Sequence, residues 1–403
     1  MTQQSTRPLG LYVHIPFCRS KCIYCDFYSL SRADEQMKDY VSALERHLAE
    51  VGQRSGGHTV DTVYFGGGTP TLLPHRLLVR LLTTIRNHFD LSRDAEITLE
   101  ANPESAQDVS VLKKLRRAGF NRISLGVQAA NDELLKKIGR IHTWEQVVGA
   151  VAAARKAGFD NLSVDLIYGL PGQTLDHWRA TLEKAMTLEV DHISCYGLKV
   201  EEGTPLYAKA ADMDLPDDDA QADMYLACVD YLAAQGFVQY EISNFAKPGR
   251  YSRHNMKYWA LEEYAGFGPG AHSDFGGTRY AYGRDLAGYI RGVLDGTLAV
   301  SEAESIPLRE RDTEYIMLSL RTAAGISRHV FEHTFRQRFA PLEQAFLSYE
   351  KAGLAARTDE GWRLTANGFL LSNTIISQLW EIHGNEKQRR AEAAAKGDFR
   401  IEW

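Results

Sequence analysis

The sequence has few cysteines, no long apolar run and no excess of positive charge. Five cysteines in 403 residues are too few for a disulfide-stabilised scaffold. No apolar stretch reaches the ~18 residues of a membrane-spanning helix, and the first residues, MTQQSTRPLG, lack the apolar region of a secretory signal. The formal net charge of −6 gives no overall attraction for nucleic acid or an anionic membrane. These features predict a soluble cytoplasmic protein that neither inserts into a membrane nor binds nucleic acid.

The composition is that of an ordinary globular protein, with 44% hydrophobic and 24% charged residues. Short apolar runs alternate with longer amphipathic segments in the first half of the chain. The six runs expected to form strands are 11–17, 62–65, 96–100, 122–127, 162–168 and 192–199. This alternation predicts right-handed βαβ units with a parallel sheet. Because six units are too few to close an eight-fold barrel, we expect an α/β protein with an open six-fold (β/α) barrel.

Changes in composition divide the rest of the chain. We expect the barrel to occupy 1–205 and an extension rich in glycine and aromatic residues to occupy 206–300. A smaller helical domain is expected over 301–380, where helices followed by a hairpin over 354–364 resemble a winged helix. With nine basic and ten acidic residues, that domain has no basic stripe for DNA. The tail, 381–403, is predicted to be poorly ordered.

Three cysteines, Cys18, Cys22 and Cys25, lie within eight positions directly after the first predicted strand. Thiolates are soft ligands that suit iron–sulfur clusters, zinc or copper(I). A structural zinc site, the weaker alternative, usually takes four protein ligands in short pairs, and the chain has no second cysteine pair. Three thiolates on a cubane leave one iron open, which predicts a ligand from outside the protein. The isolated Cys195 and Cys228 are predicted to be small core residues.

The residues before and around these cysteines resemble a known motif. Tyr12, the segment 14–17 (HIPF) and Cys-x3-Cys-x2-Cys together resemble the cluster motif of radical SAM proteins, most closely in the oxygen-independent coproporphyrinogen III oxidase group. The resemblance implies a [4Fe–4S] cluster on Cys18, Cys22 and Cys25, with S-adenosylmethionine on the fourth iron. In that superfamily an electron from the cluster cleaves the sulfonium to give a 5′-deoxyadenosyl radical.

Further residues match the cofactor pocket of that family. The segment 66–70 (GGGTP) is neither a Walker A loop nor a G-x-G-x-x-G fingerprint, and taken alone it fits a plain tight turn as well as a ligand-binding loop. After the cysteine motif, it resembles a family segment that contacts the methionine end of the cofactor. Polar residues also occupy the ends of predicted strands, where barrels collect binding groups. Asp165 lies inside an apolar strand, so we expect it to meet a ligand or a basic partner; capping or a buried ion pair is the alternative at each polar position. The residues assigned to cofactor binding by the resemblance are Tyr12, Tyr24, Gly67, Gly68, Thr69, Glu100, Gln128, Arg140 and Asp165.

Two features indicate the branch of the group. Coproporphyrinogen oxidases have a fourth cysteine two positions after the third, where this chain has Phe27. The pattern His-Asn-x2-Tyr-Trp over 254–259 resembles the haem-binding segment of the haem chaperone branch (HemW-like proteins). An imidazole can ligate haem iron and aromatic rings can pack on the macrocycle, so His254 is expected to bind haem. Tyr258, another histidine such as His272, or a cysteine are the alternatives.

The resemblance therefore implies a haem chaperone that binds a [4Fe–4S] cluster, S-adenosylmethionine and haem. Such a protein would pass haem to an acceptor protein, with a membrane-bound respiratory component as a candidate. The alternative is an oxygen-independent coproporphyrinogen III oxidase, which decarboxylates propionate side chains through radical chemistry. In the resembling family, the smaller domain covers the open end of the barrel and helps to enclose the substrate.

Overall fold

A computed structural model describes residues 6–395 of the chain, which fold into two compact units. The first unit contains the described residues up to 238, together with 243–257 and 262–305. The second contains 239–242, 258–261 and the described residues from 306 onwards. The segment 206–300, expected as an extension of the barrel, shares most of its residues with the barrel unit. Across residues 6–395, no helix is both long and apolar enough to cross a membrane.

The first unit is built on six parallel strands that lie in the sheet in chain order. They are β1 (Arg7–Ile15), β2 (His58–Gly67), β3 (Leu91–Ala101), β4 (Arg122–Gln128), β5 (Asn161–Tyr168) and β6 (His192–Gly197). The helices between them are α1 (Met37–Gly52), α2 (His75–His88), α3 (Val109–Ala118), α4 (Asp132–Lys137), α5 (Trp144–Ala157) and α6 (Leu175–Met186). This arrangement confirms the predicted open six-fold α/β fold.

Local sequence signals set the ends of these helices. The Asp108 side chain accepts hydrogen bonds from the first backbone N–H groups of α3, and Gly119 ends that helix with a φ of 117°. Thr143 caps α5 in the same way, and Gly158 ends it with a φ of 94°. An acceptor at the start and a left-handed glycine at the end satisfy backbone groups that the helix itself leaves without partners.

Alternate residues of each strand have different surroundings. Leu9, Leu11 and Val13 of β1 are buried in the hydrophobic core that the strands share with the helices. Because side chains alternate along a strand, Tyr12 and the other residues between them face the interior of the barrel. Cys195 of β6 is buried in the same hydrophobic core, as the sequence predicted for this small side chain.

The region after β6 adds elements that the sequence patterns did not predict in detail. Its helices are α7 (Pro205–Lys209), α8 (Asp218–Ala234), α9 (Arg253–Trp259) and α10 (Leu286–Asp295). Its strands are β7 (Val238–Gln239), β8 (Asn244–Ala246), β9 (Tyr264–Phe267), β10 (His272–Phe275), β11 (Thr278–Tyr282) and β12 (Val300–Glu304). Strand β9 pairs in parallel with β1, and β10, β11 and β12 follow antiparallel, while β8 pairs antiparallel with β6. These short strands cover both edges of the parallel sheet, and edges left open invite aggregation.

The second unit has the element order of a winged helix. Its elements are α11 (Asp312–Ser319), β13 (Ile326–Ser327), α12 (Arg328–His333), α13 (Ala340–Lys351), β14 (Ala355–Arg357), β15 (Gly361–Leu364), α14 (Ala366–Leu370) and α15 (Ser372–Ala395). The three strands form an antiparallel sheet in the order β13-β15-β14. Phe346 of α13 stacks on Trp362 of β15, with ring centroids 5.4 Å apart. The smaller helical, winged-helix-like domain is therefore confirmed.

The tail differs from the prediction. Helix α15 continues to Ala395, whereas the sequence was expected to be poorly ordered from residue 381. The helix is held by a buried polar contact, since Nε2 of His383 lies 2.5 Å from Oδ2 of Asp312 in α11. Lys387 donates to the same carboxylate oxygen at 2.9 Å. Residues 396–403 of the predicted tail lie outside the described residues.

Candidate cofactor site at the carboxyl end of the barrel

The cysteine loop directly follows β1, at the edge where the carboxyl ends of the parallel strands meet. Phe17–Cys18 forms a short parallel pair with Leu30–Ser31. The backbone of Ile23 holds the middle of the loop, since its N–H donates to Ile138 O at 3.2 Å and its carbonyl accepts from Leu206 N at 2.8 Å. All three cysteines of the loop have free thiols.

A chain of hydrogen bonds connects two of these cysteines through three other elements. The Sγ of Cys18 lies 3.6 Å from Oγ1 of Thr69, which accepts from Nδ2 of Asn102 at 2.9 Å. The Oδ1 of Asn102 accepts from Nη2 of Arg140 at 2.8 Å, and Nη1 of Arg140 donates to Sγ of Cys22 at 3.7 Å. The chain thus joins the cysteine loop, the GGGTP segment, the residue after β3 and the loop after α4.

The thiols also influence one another electrostatically. Burial raises the pKa of the Cys25 thiol above its usual value, and the neighbouring Cys22 and Cys18 raise it further. Burial, followed by the neighbouring Cys22, raises the pKa of Tyr24. Because a metal centre binds the thiolate form, a cationic cluster would displace the protons from these grouped sulfurs.

The glycine segment requires glycine at two positions. Gly67 has a φ of 105°, and a Cβ there would lie 2.4 Å from the His14 ring. A Cβ on Gly68 would lie 2.7 Å from the carbonyl oxygens of Ile15 and Phe17. These side-chain-free residues let the segment lie directly against the end of β1. There the N–H of Thr69 donates to Phe17 O at 2.7 Å.

Glu100 lies at the end of β3, in the interior of the barrel. Its Oε1 accepts from the Tyr64 hydroxyl at 2.6 Å, and its Oε2 accepts from Gly67 N at 3.1 Å. Burial raises the pKa of Glu100 to about 7, and the nearby Asp165 adds to the effect. The hydrogen bonds from Tyr64 and Gly67 and the charge of Arg122 act in the opposite direction. This carboxyl group therefore changes protonation state near neutral pH.

Asp165 lies close enough to Glu100 to affect its charge, and Gln128 lies near Arg140. Ser124 donates to Asp165 at 3.2 Å, and burial raises the pKa of this carboxyl group. Hydrogen bonds from the hydroxyl groups of Ser194 and Ser124 act in the opposite direction and lower the pKa of Asp165, and so does the positive charge of Arg122. Gln128 has a φ of 67°, and a Cβ on Gly126 would lie 3.0 Å from its Nε2 and 3.2 Å from Nη2 of Arg140.

Tyr12 connects β1 to the cysteine loop through His14. The Tyr12 hydroxyl lies 3.0 Å from Nδ1 of His14, and Nε2 of His14 lies 2.8 Å from Tyr28 O. Because a carbonyl only accepts, Nε2 carries the proton and Nδ1 accepts from Tyr12. Burial lowers the pKa of His14 to about 4, so this ring is neutral at pH 7.

His254 contacts this group of residues through Tyr64. It lies on α9, and its Nδ1 is 2.9 Å from Oγ1 of Thr62, in the middle of β2. Its ring stacks on Tyr64 with centroids 5.3 Å apart, and the residue is 0% exposed. Burial lowers its pKa to about 3. In this conformation haem cannot reach the imidazole, so ligation by His254 requires α9 to move and stays a prediction. The alternative ligand His272 lies exposed on β10.

Two functional candidates were missed by the sequence reasoning. Asn102 contacts both Thr69 and Arg140, and its signal was its place two residues after Glu100, at the same strand end. Tyr64 contacts Glu100, and its signal was the alternation along β2, which puts it on the interior face with Thr62. The patterns gave neither residue a chemical role.

The residues present fit a cluster with a cofactor bound to it. Among residues 6–395, no three His, Cys, Asp or Glu side chains lie close enough together to hold a single metal ion. A cubane takes one thiolate for each of its irons, so three grouped thiols suit it without meeting at one point. The Nε of Arg140 is buried beside Cys22 with no hydrogen-bond partner within the described residues, which leaves a donor for a ligand.

Comparisons with known proteins agree with this geometry. The chain matches the Radical SAM superfamily over residues 12–185 and the HemN C-terminal domain over residues 306–371. It is 37% identical to the haem chaperone HemW of Bacillus subtilis, over 91% of this chain and 97% of that protein. It is 34% identical to the haem chaperone HemW of Escherichia coli, over 92% of this chain and 97% of that protein.

A solved structure shares the fold. Coproporphyrinogen III oxidase (HemN) from Escherichia coli, described as a radical SAM enzyme, superposes with a TM-score of 0.80 and 27% identity. The match covers 93% of this chain and 90% of that chain. Since identity above one third extends over nearly the full length of the HemW proteins, the chain belongs to the radical SAM superfamily and, within it, to the HemW family.

Proposed function

We propose that this protein is a haem chaperone that binds a [4Fe–4S] cluster, S-adenosylmethionine and haem, and transfers haem to an acceptor protein. The observation that carries the proposal is the similarity to haem chaperones over more than 90% of the chain. The three-thiol loop at the strand ends supports the cluster, because its sulfurs are grouped and two of them have polar neighbours.

The proposed roles follow from the positions of the side chains. Cys18, Cys22 and Cys25 would hold the cluster, which supplies a low-potential electron when bound. Thr69 and Arg140 would orient the first two sulfurs by the contacts described above. The residues proposed to bind S-adenosylmethionine are Tyr12, Tyr24, Gly67, Gly68, Thr69, Glu100, Gln128, Arg140 and Asp165.

Phe27 supports the chaperone assignment. Its side chain is 67% exposed in the cysteine loop, at the position where the oxidases carry their fourth cysteine. A phenyl ring has no thiol that could act in place of that cysteine, so the chain lacks a residue that the oxidases carry. The cytoplasmic location stays a prediction, which the five free cysteines favour because thiols persist in a reducing compartment.

The second candidate function is oxygen-independent coproporphyrinogen III oxidase. The observation in its favour is the superposition on HemN from Escherichia coli over 93% of this chain. Phe27 in place of the fourth cysteine and the segment 254–259 weigh against it.

The test is a haem-transfer experiment on anaerobically reconstituted protein. We expect iron and sulfide near four per chain, a haem-dependent absorption spectrum, and transfer of the bound haem to a haem-depleted respiratory membrane fraction. Cys18→Ser should lose the cluster, whereas Cys228→Ser is the matched control because Cys228 is buried in the core. Absence of inorganic sulfide from wild-type protein would refute the cluster. If the protein converts coproporphyrinogen III to protoporphyrinogen, the chaperone proposal is refuted and the oxidase function takes its place.

A haem titration of His254→Ala tests the predicted ligand. If His254 ligates haem, the variant should change both the absorption spectrum and the affinity. If the variant binds haem with an unchanged spectrum, the ligand is another residue, and the exposed His272 is the next variant to examine.

A further inference from the structure

Tyr64 lies between the segment that carries His254 and the carboxylate of Glu100. We infer that Tyr64 is a positioning residue for S-adenosylmethionine: its hydroxyl fixes the Glu100 carboxylate, and the stacked imidazole of His254 fixes the Tyr64 ring. The inference rests on the proposed binding of S-adenosylmethionine by Glu100. It gives His254 a role in the cofactor pocket that does not involve iron ligation.

The first contact is the hydrogen bond between Tyr64 and Glu100. The phenol donates to Oε1 at 2.6 Å, while Gly67 N donates to Oε2 at 3.1 Å. Both carboxylate oxygens therefore have a donor, one from the middle of β2 and one from its end. This geometry holds the carboxylate in one orientation beside the GGGTP segment.

The second contact is the stack between Tyr64 and His254. The two rings have centroids 5.3 Å apart and an interplanar angle of 27°. The imidazole is itself held by Thr62 at 2.9 Å, and the backbone N–H of His254 donates to Glu96 at 3.1 Å. Because the start of α9 is bound to two strands, the imidazole is a fixed surface against which the phenol packs.

Glycines on two strands provide the space for this stack. A Cβ on Gly66 would lie 2.8 Å from Cε1 of Tyr64 and 3.0 Å from Cδ of Glu100. A Cβ on Gly10 would lie 3.2 Å from Cε1 of His254. The absence of a side chain at these two glycines thus leaves room for the side chains of Tyr64, Glu100 and His254.

The hydroxyl also affects the charge of Glu100. The groups that face this carboxyl group are Tyr64 and Gly67 N from β2, Arg122 from β4 and Asp165 from β5. A donor to the charged form lowers the pKa of a carboxyl group, so loss of the Tyr64 hydroxyl should raise the pKa of Glu100. S-adenosylmethionine carries a permanently cationic sulfonium, and the ionised carboxylate should bind it more tightly than the neutral acid.

The experiment measures the S-adenosylmethionine dissociation constant of anaerobically reconstituted protein by calorimetry between pH 6 and 9. Wild-type affinity should rise as the pH passes the Glu100 pKa of about 7. For Tyr64→Phe we expect binding roughly tenfold or more weaker at pH 7, because a hydrogen bond to a charged group is lost. We also expect the inflection at higher pH. His254→Ala should also weaken S-adenosylmethionine binding at pH 7 and shift the inflection to higher pH, by a smaller amount than Tyr64→Phe.

Controls separate this inference from a general loss of folding. Tyr282→Phe removes a buried hydroxyl that lies 3.0 Å from His47, away from Glu100, and should leave the profile unchanged. The α-amino group of the cofactor titrates in this range as well, with a pKa of about 7.7–8.0. Glu100→Gln should therefore remove only the part of the pH dependence that Glu100 contributes, and a profile identical to that of the wild type would overturn the inference. Iron and sulfide contents of each variant show whether the cluster is retained.

The remaining outcomes are distinct. If wild-type protein does not bind S-adenosylmethionine, the proposed function fails. If wild-type protein binds it and Tyr64→Phe has the same affinity and pH profile, the positioning role of Tyr64 is refuted. If His254→Ala changes only the haem spectrum and leaves S-adenosylmethionine binding unchanged, the role of His254 in this pocket is refuted.

Discussion

Replacement of Arg140 by Met is the most informative perturbation of the candidate site. The guanidinium donates to Asn102 at 2.8 Å, to the carbonyl of Gly126, and to the sulfur of Cys22 at 3.7 Å. Methionine fills a similar volume without a donor. The variant therefore tests whether this one side chain holds the ends of β3 and β4 against the cysteine loop.

The size of the effect follows from two of these contacts. A hydrogen bond from a charged donor contributes about 1.5 kcal/mol at the low end of the measured range, so two contribute about 3 kcal/mol. Because every 1.4 kcal/mol corresponds to a factor of ten, complete loss of both contacts at this low-end value corresponds to about 100-fold weaker binding. The exposed part of the loop can rehydrate, so we expect S-adenosylmethionine to bind between about tenfold and about 100-fold more weakly.

Calorimetry on reconstituted protein measures the dissociation constant, and iron and sulfide analysis shows whether the cluster is retained. Arg140→Lys should be intermediate, since lysine keeps the charge without the planar fork. Arg80→Met is the matched control, because Arg80 pairs with Glu45 at a half-exposed position between α1 and α2. A change of less than twofold in Arg140→Met with the cluster intact would refute the reasoning.

Two further predictions concern the second unit and the glycine segment. Asp312→Asn removes the carboxylate that accepts hydrogen bonds from His383 and Lys387, and a hydrogen bond to a charged group contributes about 1.5–3 kcal/mol, so hydrogen exchange should show 381–395 losing protection. Burial alone would raise the pKa of Asp312, but its hydrogen bonds hold it below the usual value. The stabilisation should therefore be complete above about pH 4 and disappear as the pH falls through the lower folded-state pKa. Gly67→Ala places a methyl group 2.4 Å from the His14 ring at a φ of 105°, which should cost about 2–5 kcal/mol, lower the unfolding temperature and weaken S-adenosylmethionine binding.

Each of these predictions has a control. Glu386→Gln removes a pair with the exposed Arg338, and such pairs contribute at most about 1 kcal/mol, so 381–395 should stay protected. Full protection in Asp312→Asn would contradict the assigned role of the buried pair. Gly56→Ala introduces a methyl group with nothing within 4 Å and should leave stability and binding unchanged. Equal behaviour of Gly67→Ala and Gly56→Ala would show that the space at Gly67 is not required.

The candidate site depends on the parallel sheet. Cys18, Gly67, Glu100 and Gln128 belong to four different strands or the residues just after them, and they are far apart in sequence. The carboxyl ends of parallel strands meet at one edge, so the fold brings these residues together. The contacts from Thr69 through Asn102 to Arg140 then join the strand ends to the cysteine loop.

Much of the architecture could be read from the sequence. The alternation of apolar runs with amphipathic segments predicted six parallel strands. In a βαβ sheet each strand is buried on both faces and is therefore apolar throughout, whereas each helix is buried on one face and is therefore amphipathic. The spacing Cys-x3-Cys-x2-Cys predicted the grouped thiols, because three ligands in one short loop cannot lie far apart. The helical second unit followed from its helical periodicity and its hairpin.

Other features could not be read in this way. The strands of the region 237–304 are too short to show a periodic pattern, and the connections between them are rich in glycine. These strands form by pairing with the edges of a sheet built elsewhere. The sequence beyond residue 381 is polar and was expected to be poorly ordered. In the structure helix α15 continues to Ala395, and His383 within it contacts Asp312, 71 positions earlier.

The sequence by itself determined the repeating βαβ units, the three sulfur donors and the helical second unit, because those features depend on periodicity and on neighbours close in the chain. Only the tertiary structure decided that Asn102 joins Thr69 to Arg140, and that His254 lies buried against Tyr64. These contacts connect residues more than 30 positions apart. Local pattern carries no information about such distances, since they are set by the register of the strands and the packing of α9.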